Sequence, residues 1–280
     1  MNRTVKQSRA RRTARAILSL VVLAMVVGGG AAWRMYAEGY YFRNLKPTDW
    51  VLHWRGVYRY DPAHHTVRQG SAKVPMVALT FDDGPHPTTP ALLDALKAGG
   101  AHGTFFLVGS NVVKAPDLAR RIAAEGNEVA NHTRTHLRLP PLRDDQIRHE
   151  LNDDTIVIAR ATGKRVRLFR PPGGQFDGRV TAEAAREGMT TVLWSNNTGD
   201  WRAKPPRWVV NRVLSNVQPG DIVLLHEDHA ETVAAIPAIL AGLRERGLRA
   251  VTVSELLAAS GIAAPPLPAP GKRIRARQPQ

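Results

Sequence analysis

Val77-Ala78-Leu79-Thr80-Phe81-Asp82-Asp83-Gly84-Pro85-His86 (VALTFDDGPH, residues 77–86) runs a short apolar segment into two adjacent carboxylates and then a turn. The apolar half has the length and composition of a strand buried on both faces of a parallel sheet, and Gly-Pro marks its end. Two neighbouring acids at such an end repel each other if both are buried and ionised. They form either a solvated turn or one wall of a site that also holds a cation. These ten residues alone do not choose between the two.

Working outward from this strand, the pattern from Val74 to Ser260 alternates strand and helix. Strands are predicted at 77–81, 103–108, 128–130, 167–170, 191–194, 221–225 and 249–252, with helices at 90–98, 111–125, 143–162, 180–187, 207–216 and 231–246. Such alternation implies a parallel sheet, and seven strands over this length suggest a barrel rather than an open sheet. No internal repeat is visible. Residues 34–73 mix aromatics, charges and turn formers without a sustained period and are expected to form a membrane-proximal segment. The end, 261–280, is proline-rich and then basic, the composition of a disordered tail.

The 280-residue chain is 43% hydrophobic, enough for a substantial core, and carries a net charge of +15. The basic excess is concentrated at the two ends. Residues 1–15 hold Arg3, Lys6, Arg9, Arg11, Arg12 and Arg15 with no acid, and the tail holds Lys272, Arg273, Arg275 and Arg277. No nucleic-acid motif or aromatic-basic repeat accompanies them, so the high pI does not imply a nucleic-acid partner. With no cysteine, disulfides, thiolate metal sites and cysteine nucleophiles are excluded. From Ala16 to Trp33 no charge occurs. As a helix this stretch spans ~27 Å, close to a bilayer's hydrocarbon thickness. The dense part, Ile17 to Val27, also suits a signal-peptide core, with Gly30 and Ala32 as small residues for cleavage. The aromatic cluster that follows (Tyr36, Tyr40, Tyr41, Phe42) favours an uncleaved anchor at 16–33 with residues 1–15 cytoplasmic and the remainder outside; cleavage would make the protein secreted.

Four further stretches carry chemistry. Asn131-His132-Thr133-Arg134-Thr135-His136 follows a short strand, and histidines four apart on a helical turn project the same way and can grip one metal. Alone, such a pair is common on surface helices. Beside an acid from another strand end it leaves open positions for water and substrate. Phe169-Arg170-Pro171-Pro172-Gly173-Gly174 ends a strand in an arginine, stiffens with prolines and lets backbone approach a ligand at the glycines; it also reads as an ordinary rigid turn. Trp194-Ser195-Asn196-Asn197-Thr198-Gly199-Asp200-Trp201 and Ile222-Val223-Leu224-Leu225-His226 complete the set. Each of the five lies at or just after the C-terminal end of a predicted strand, the end that carries active sites in barrels and doubly wound sheets.

Residues 74–258, including HGTFFLVG at 102–109 and VTVSELL at 251–257, resemble the polysaccharide deacetylases of carbohydrate esterase family 4, with their NodB-homology domain. The resemblance implies an α/β fold, a distorted, incomplete (β/α) barrel, and metal-dependent N- or O-deacetylation of glycans. By position, Asp82 looks like the general base and Asp83, His132 and His136 like the metal ligands. Arg170 would hold Asp82, His226 would be the general acid, and Asp200 would orient it. Pro171, Pro172 and Gly173 would line the substrate groove, with Trp201 and Leu224 walling the acetyl pocket. The implied cofactor is a divalent metal, zinc first, with cobalt, manganese or nickel as alternatives.

General chemistry agrees. A metal polarises the acetamide carbonyl, while separate acid and base groups move the protons. Asp82 and Asp83, as neighbours on an extended chain, are expected to point apart and serve different roles. Two positions depart from the family pattern: Asn197 stands where an acid is frequent, and Gly173 where a tyrosine is frequent. A backbone N–H at 173 still supplies an oxyanion donor, so the second departure bears on glycan preference. The sequence thus reads as a membrane-anchored, extracytoplasmic deacetylase acting on an acetylated glycan, with peptidoglycan N-acetylglucosamine leading and no obligate protein partner. Chitooligosaccharides, a matrix polysaccharide and O-acetyl xylan are alternatives, and a non-catalytic wall-binding protein is the rival of another class.

Overall fold

The computed structural model describes residues 60–61 and 65–262. Its strands are β1 (Tyr60–Asp61), β2 (Thr66–Val67), β3 (Met76–Gly84), β4 (Thr104–Leu107), β5 (Glu128–Asn131), β6 (Leu168–Phe169), β7 (Thr190–Val192), β8 (Asn196–Asn197), β9 (Ile222–His226) and β10 (Arg249–Val251). They form one sheet in the order β1-β2-β7-β6-β5-β4-β3-β9-β8, with β10 added to β3. Every pairing is parallel except β1–β2. The sheet curls into an incomplete (β/α) barrel. An isolated antiparallel bridge joins Gln69, after β2, to Asp221, just before β9. All seven predicted strands are present. The sheet also starts ahead of Val74: β2 pairs with β7, so part of the segment expected to be membrane-proximal belongs to the barrel.

The helices are α1 (Thr89–Ala98), α2 (Gly109–Lys114), α3 (Pro116–Ala124), α4 (Asp144–Thr162), α5 (Gly178–Arg186), α6 (Pro206–Asn216), α7 (Ala230–Glu245) and α8 (Val253–Ala259). The single helix expected at 111–125 is broken in two. Pro116 has no N–H to donate and pushes Ala115 out of the helical region, to φ −137°, ψ 61°. Helix α8 was not anticipated, although Thr252 and Glu255 form a capping box that announces its start. No helix among the described residues is long and apolar enough to cross a membrane. The expected anchor at 16–33, its basic flank and the tail beyond residue 262 lie outside the described residues.

Strand alternation sorts the core into two layers. Val77, Leu79, Phe81, Phe105, Leu107, Val129, Val223 and Leu225 pack outward against helix residues such as Leu92, Leu96, Ile122 and Ile236. Val67, Ala78, Phe106, Ala130, Leu168, Val192 and Ile222 form the inner cluster, joined by Val253, Leu256 and Leu257 of α8. The inner layer decides where the site lies.

Candidate active site

Stepping two residues along each inner column keeps a side chain on the inner face. From Ala78 that leads through Thr80 to Asp82, from Ala130 to His132, from Leu168 to Arg170, and from Ile222 through Leu224 to His226. Apolar residues fill the middle of the barrel, and Asp82, His132, Arg170 and His226 stand at or just past the strand C-termini. Arg170 is fully buried and Asp82 is 3% exposed. Arg170 Nη1 donates to Asp82 Oδ1 at 2.6 Å and to Thr80 Oγ1 at 2.8 Å. Its other donors reach the carbonyls of Val192 and Leu193, both at 3.2 Å, and its guanidinium lies 4.0 Å from the Phe106 ring centroid. Burial lowers the Arg170 pKa, and Asp82 opposes that effect. A guanidinium does not lose its proton in proteins, so Arg170 stays charged regardless.

Regular alternation would send Asp83 outward, away from the site. It does not, because the β3–β4 register jumps between Asp82 and Gly84 and Asp83 takes φ 73°. This bulge turns Asp83 toward the same imidazole that Asp82 approaches. His132 Nε2 lies 3.7 Å from Asp82 Oδ2 and 3.5 Å from Asp83 Oδ1, and His136 Nε2 lies 3.1 Å from Asp83 Oδ1. The two acids therefore diverge less than an extended chain predicts.

The histidine pair is also arranged differently from expectation. Residues 132–136 form a loop, not a helical turn, with Thr133 at φ 72° and His136 at φ 60°. Helix α4 holds this loop. Asp154 Oδ2 accepts from His132 N at 3.1 Å, Glu150 accepts from Thr135 N and Oγ1 at 2.8 and 2.6 Å, and Asn131 Nδ2 donates to the Leu151 carbonyl at 2.8 Å. Three of the five non-glycine residues with positive φ among those described, Asp83, Thr133 and His136, belong to this one cluster. Each costs on the order of 1–3 kcal/mol, offset by the packing around it.

The donor set suits a divalent first-row metal. Asp83, His132 and His136 each offer one atom, all within 4.8 Å of one another. His132 Nδ1 donates to the Arg170 carbonyl at 2.8 Å, which leaves the Nε2 lone pair for a ligand. Two imidazoles and one carboxylate are the chemistry of open hydrolytic sites. Burial alone would raise the Asp83 pKa, but hydrogen bonds from both histidines outweigh it and hold the carboxyl well below its usual range.

Across β3, Asp82 pairs in register with His226 on β9. His226 Nδ1 bonds Asp200 Oδ1 at 2.9 Å and its backbone N–H bonds Asp200 Oδ2 at 2.8 Å. Thr198 and Thr232 hydroxyls donate to the same carboxylate at 2.8 and 2.9 Å. Burial opposes the imidazolium. The Asp200 hydrogen bond and charge, aided by Asp82 and Asp83, outweigh burial and push His226 up to about 9.

The remaining predicted residues flank this centre. Pro171 and Pro172 are buried after Arg170, Gly173 is exposed at φ 60°, Leu224 is buried one inner-face step before His226, and Trp201 is 51% exposed. Gly174 is required by space as well as by its φ of 67°, since a Cβ there would stand 2.7 Å from Trp194 Cη2. Sequence reasoning missed Thr80, Thr198 and Thr232, which complete the polar shells, and Glu150 and Asp154, which carry the histidine loop. The i, i+4 spacing of two acids on one helix was their only signal.

A barrel of this topology with these strand-end residues defines a polysaccharide deacetylase, and the chain belongs to that family. The polysaccharide deacetylase model matches residues 69–192. A peptidoglycan-N-acetylglucosamine deacetylase of Bacillus cereus is 42% identical over 188 residues, covering 65% of this chain and 88% of the relative. Among solved structures, a peptidoglycan N-acetylglucosamine deacetylase in complex with a hydroxamate-type benzamide superposes with TM-score 0.67 at 32% identity, over 73% of this chain and 95% of that one. A CE4 family pseudoenzyme from Bacillus anthracis superposes equally well, with TM-score 0.67 at 33% identity, over 69% of this chain and 68% of that one. The protein is a hydrolase of carbon–nitrogen bonds. Because a pseudoenzyme shares the fold, the details of the site carry the functional reading.

Proposed function

We propose that this protein removes acetyl groups from N-acetylglucosamine in peptidoglycan, outside the cytoplasm, with a divalent metal held by Asp83, His132 and His136. One observation carries the reading: these three donors converge beside an arginine-clamped carboxylate, with the Asp200-bonded His226 in register on the neighbouring strand. When bound by Asp83, His132 and His136, a divalent metal, zinc first as the family resemblance implies, would supply Lewis acidity for attack on the acetyl carbonyl. Asp82, oriented by Arg170, takes the proton of the attacking water. His226, held in its imidazolium form by Asp200, gives a proton to the departing amine nitrogen, without which the amine leaves poorly. The exposed Gly173 N–H is the donor for the oxyanion. Trp201 and Leu224 bound the space for the acetyl methyl, and Pro171 and Pro172 stiffen the groove.

The relative names support the cell-wall substrate, and the uncharged stretch at 16–33 supports a membrane anchor that keeps the domain beside the wall. Acetate release from peptidoglycan, chitooligosaccharides, acetylated matrix polysaccharide and acetyl xylan, with and without chelator, tests the reading. The expected result is chelator-sensitive release, fastest from peptidoglycan. Release that survives complete metal removal would sink the metal assignment, and no release from any glycan would make the protein a wall-binding pseudoenzyme.

A further inference from the structure

Directly after His226 stands Glu227, which is fully buried and has no part in the chemistry above. Its side chain runs back beneath the turn that follows Asp83. Oε2 accepts from Thr89 Oγ1 at 2.5 Å, the Glu227 carbonyl accepts from Thr88 Oγ1, and its N–H donates to the Asp82 carbonyl at 3.2 Å. Oε1 has no hydrogen-bond partner. It occupies the space that a side chain at position 84 would need: a Cβ on Gly84 would stand 1.3 Å from it. From the other flank, Asn111 Nδ2 donates to the Asp83 carbonyl at 2.8 Å, and the Gly84 carbonyl accepts from Val108 N at 2.8 Å.

A buried carboxyl with one oxygen unbonded is costly, and such a group persists where something else depends on it. Here the dependent feature is the bulge. Asp83 reaches His132 and His136 only because the chain departs from strand geometry at φ 73°, and that departure needs support from both flanks. We propose that Glu227 is a positioning residue for metal ligation: its carboxyl fills the volume vacated by Gly84 and ties the end of β9 to residues 82–89, fixing Asp83 toward the two histidines. Burial raises the Glu227 pKa to about 8, against the Thr89 hydrogen bond that lowers it. The Glu227 carboxyl meets the Thr89 hydroxyl and fills the space beside Gly84, so shape and hydrogen bonding, not charge, are what it contributes.

This inference rests on the metal reading, so the test measures Zn²⁺ binding separately from turnover, by competition with a chromophoric chelator on the full chain. Glu227→Ala is expected to weaken Zn²⁺ binding by ~10–100-fold, the usual loss for a group that orients a ligand, and to lower kcat at saturating Zn²⁺ with KM little changed. Glu227→Gln, which keeps the shape and one hydrogen-bond acceptor without the charge, is expected to restore most of the affinity. Parental Zn²⁺ affinity in Glu227→Ala, even with a lowered melting temperature, would reduce Glu227 to a packing residue and overturn the proposal. A Gln variant as weak as the Ala variant would overturn the claim that shape rather than charge matters. If Glu227→Ala does not fold, Thr89→Val decides, since it removes the Oε2 bond and is expected to weaken Zn²⁺ binding in the same direction. No Zn²⁺ binding by the parent protein would overturn the metal reading and this inference with it.

Discussion

Asp82 and Asp200 are both buried aspartates bonded to a basic side chain, and they stand on opposite sides of the β3–β9 seam. Asp82 is paired with an arginine that cannot lose its proton in the working range, at 2.6 Å and beneath a fully buried guanidinium. Asp200 is paired with a histidine that can, and that faces the open end of the barrel at 13% side-chain exposure. One pair is a fixed charge arrangement and the other a switchable one. The lesson is that identical carboxylates acquire different roles from the titration behaviour of their partners, and four substitutions can break or sharpen the contrast.

The largest effect is expected on the fixed side. Asp82→Asn keeps the shape but removes proton affinity, so turnover should fall by ~10²–10⁴-fold on N-acetylglucosamine oligomers and on nitrophenyl acetate alike. Bound metal should be retained, which elemental analysis of the purified variant checks. Loss of metal together with activity would instead make Asp82 a ligand.

Next comes Arg170→Met, which leaves the Asp82 charge buried and unpaired. Breaking one partner of a buried pair costs about 3–5 kcal/mol, readable in urea unfolding with the slope unchanged. A loss under about 1 kcal/mol, the range of exposed pairs, would show that water reaches Asp82 once Arg170 is gone.

On the switchable side, His226→Ala should discriminate between substrates. An amine must be protonated to leave, whereas an activated phenolate need not be. The expected loss is about 10²-fold or more on N-acetylglucosamine oligomers and below about tenfold on nitrophenyl acetate. Equal losses would mean that His226 binds the oxyanion or the sugar.

The mildest substitution is Asp200→Asn. His226 is held up to about 9, so activity that needs the imidazolium should decline as pH rises through about 9. Without the Asp200 charge the decline should begin at lower pH, while Asp82-dependent steps are unaltered. The same linkage bears on stability. A histidine whose folded pKa exceeds its ordinary value of about 6.5 stabilises fully below 6.5 and loses that contribution as pH rises toward about 9. The melting temperature of the metal-free protein should therefore drop across that window in the parent and much less in Asp200→Asn. An unmoved profile would detach Asp200 from His226.

Much of this site was legible before the fold was known, for a reason visible in particular residues. Asp82, His132, Arg170 and His226 each sit at a strand C-terminus, two positions beyond an apolar or small residue, so local composition marks both the strand and the polar residue that caps it. Asp200 was recognised only through the resemblance of its motif, since nothing local tells an orienting aspartate from a turn aspartate. Helix α2–α3 was misread as continuous although Pro116 was in plain view, because the apolar period runs through the break. The histidine loop was misread as a helical turn for a similar reason: i, i+4 spacing suits a helix, but the positive φ values of Thr133 and His136 come from bonds to α4, far along the chain.

The sequence by itself determined the alternation of strands and helices, the placement of Asp82, His132, Arg170 and His226 at or just after strand C-termini, and the absence of thiol chemistry, because these follow from residue type and local pattern. Only the tertiary structure decided that Asp83 faces inward, that His132 presents Nε2, that Asp200 raises the His226 pKa, and that Glu227 lies under Gly84. Each of these depends on groups brought together from separate segments: a bulge against β4, a carbonyl from the end of β6, a carboxylate from the loop after β8, and a carboxyl reaching from β9 to the turn after β3. Contacts between segments distant in sequence leave no local period to read, so they become visible only when the barrel closes around them.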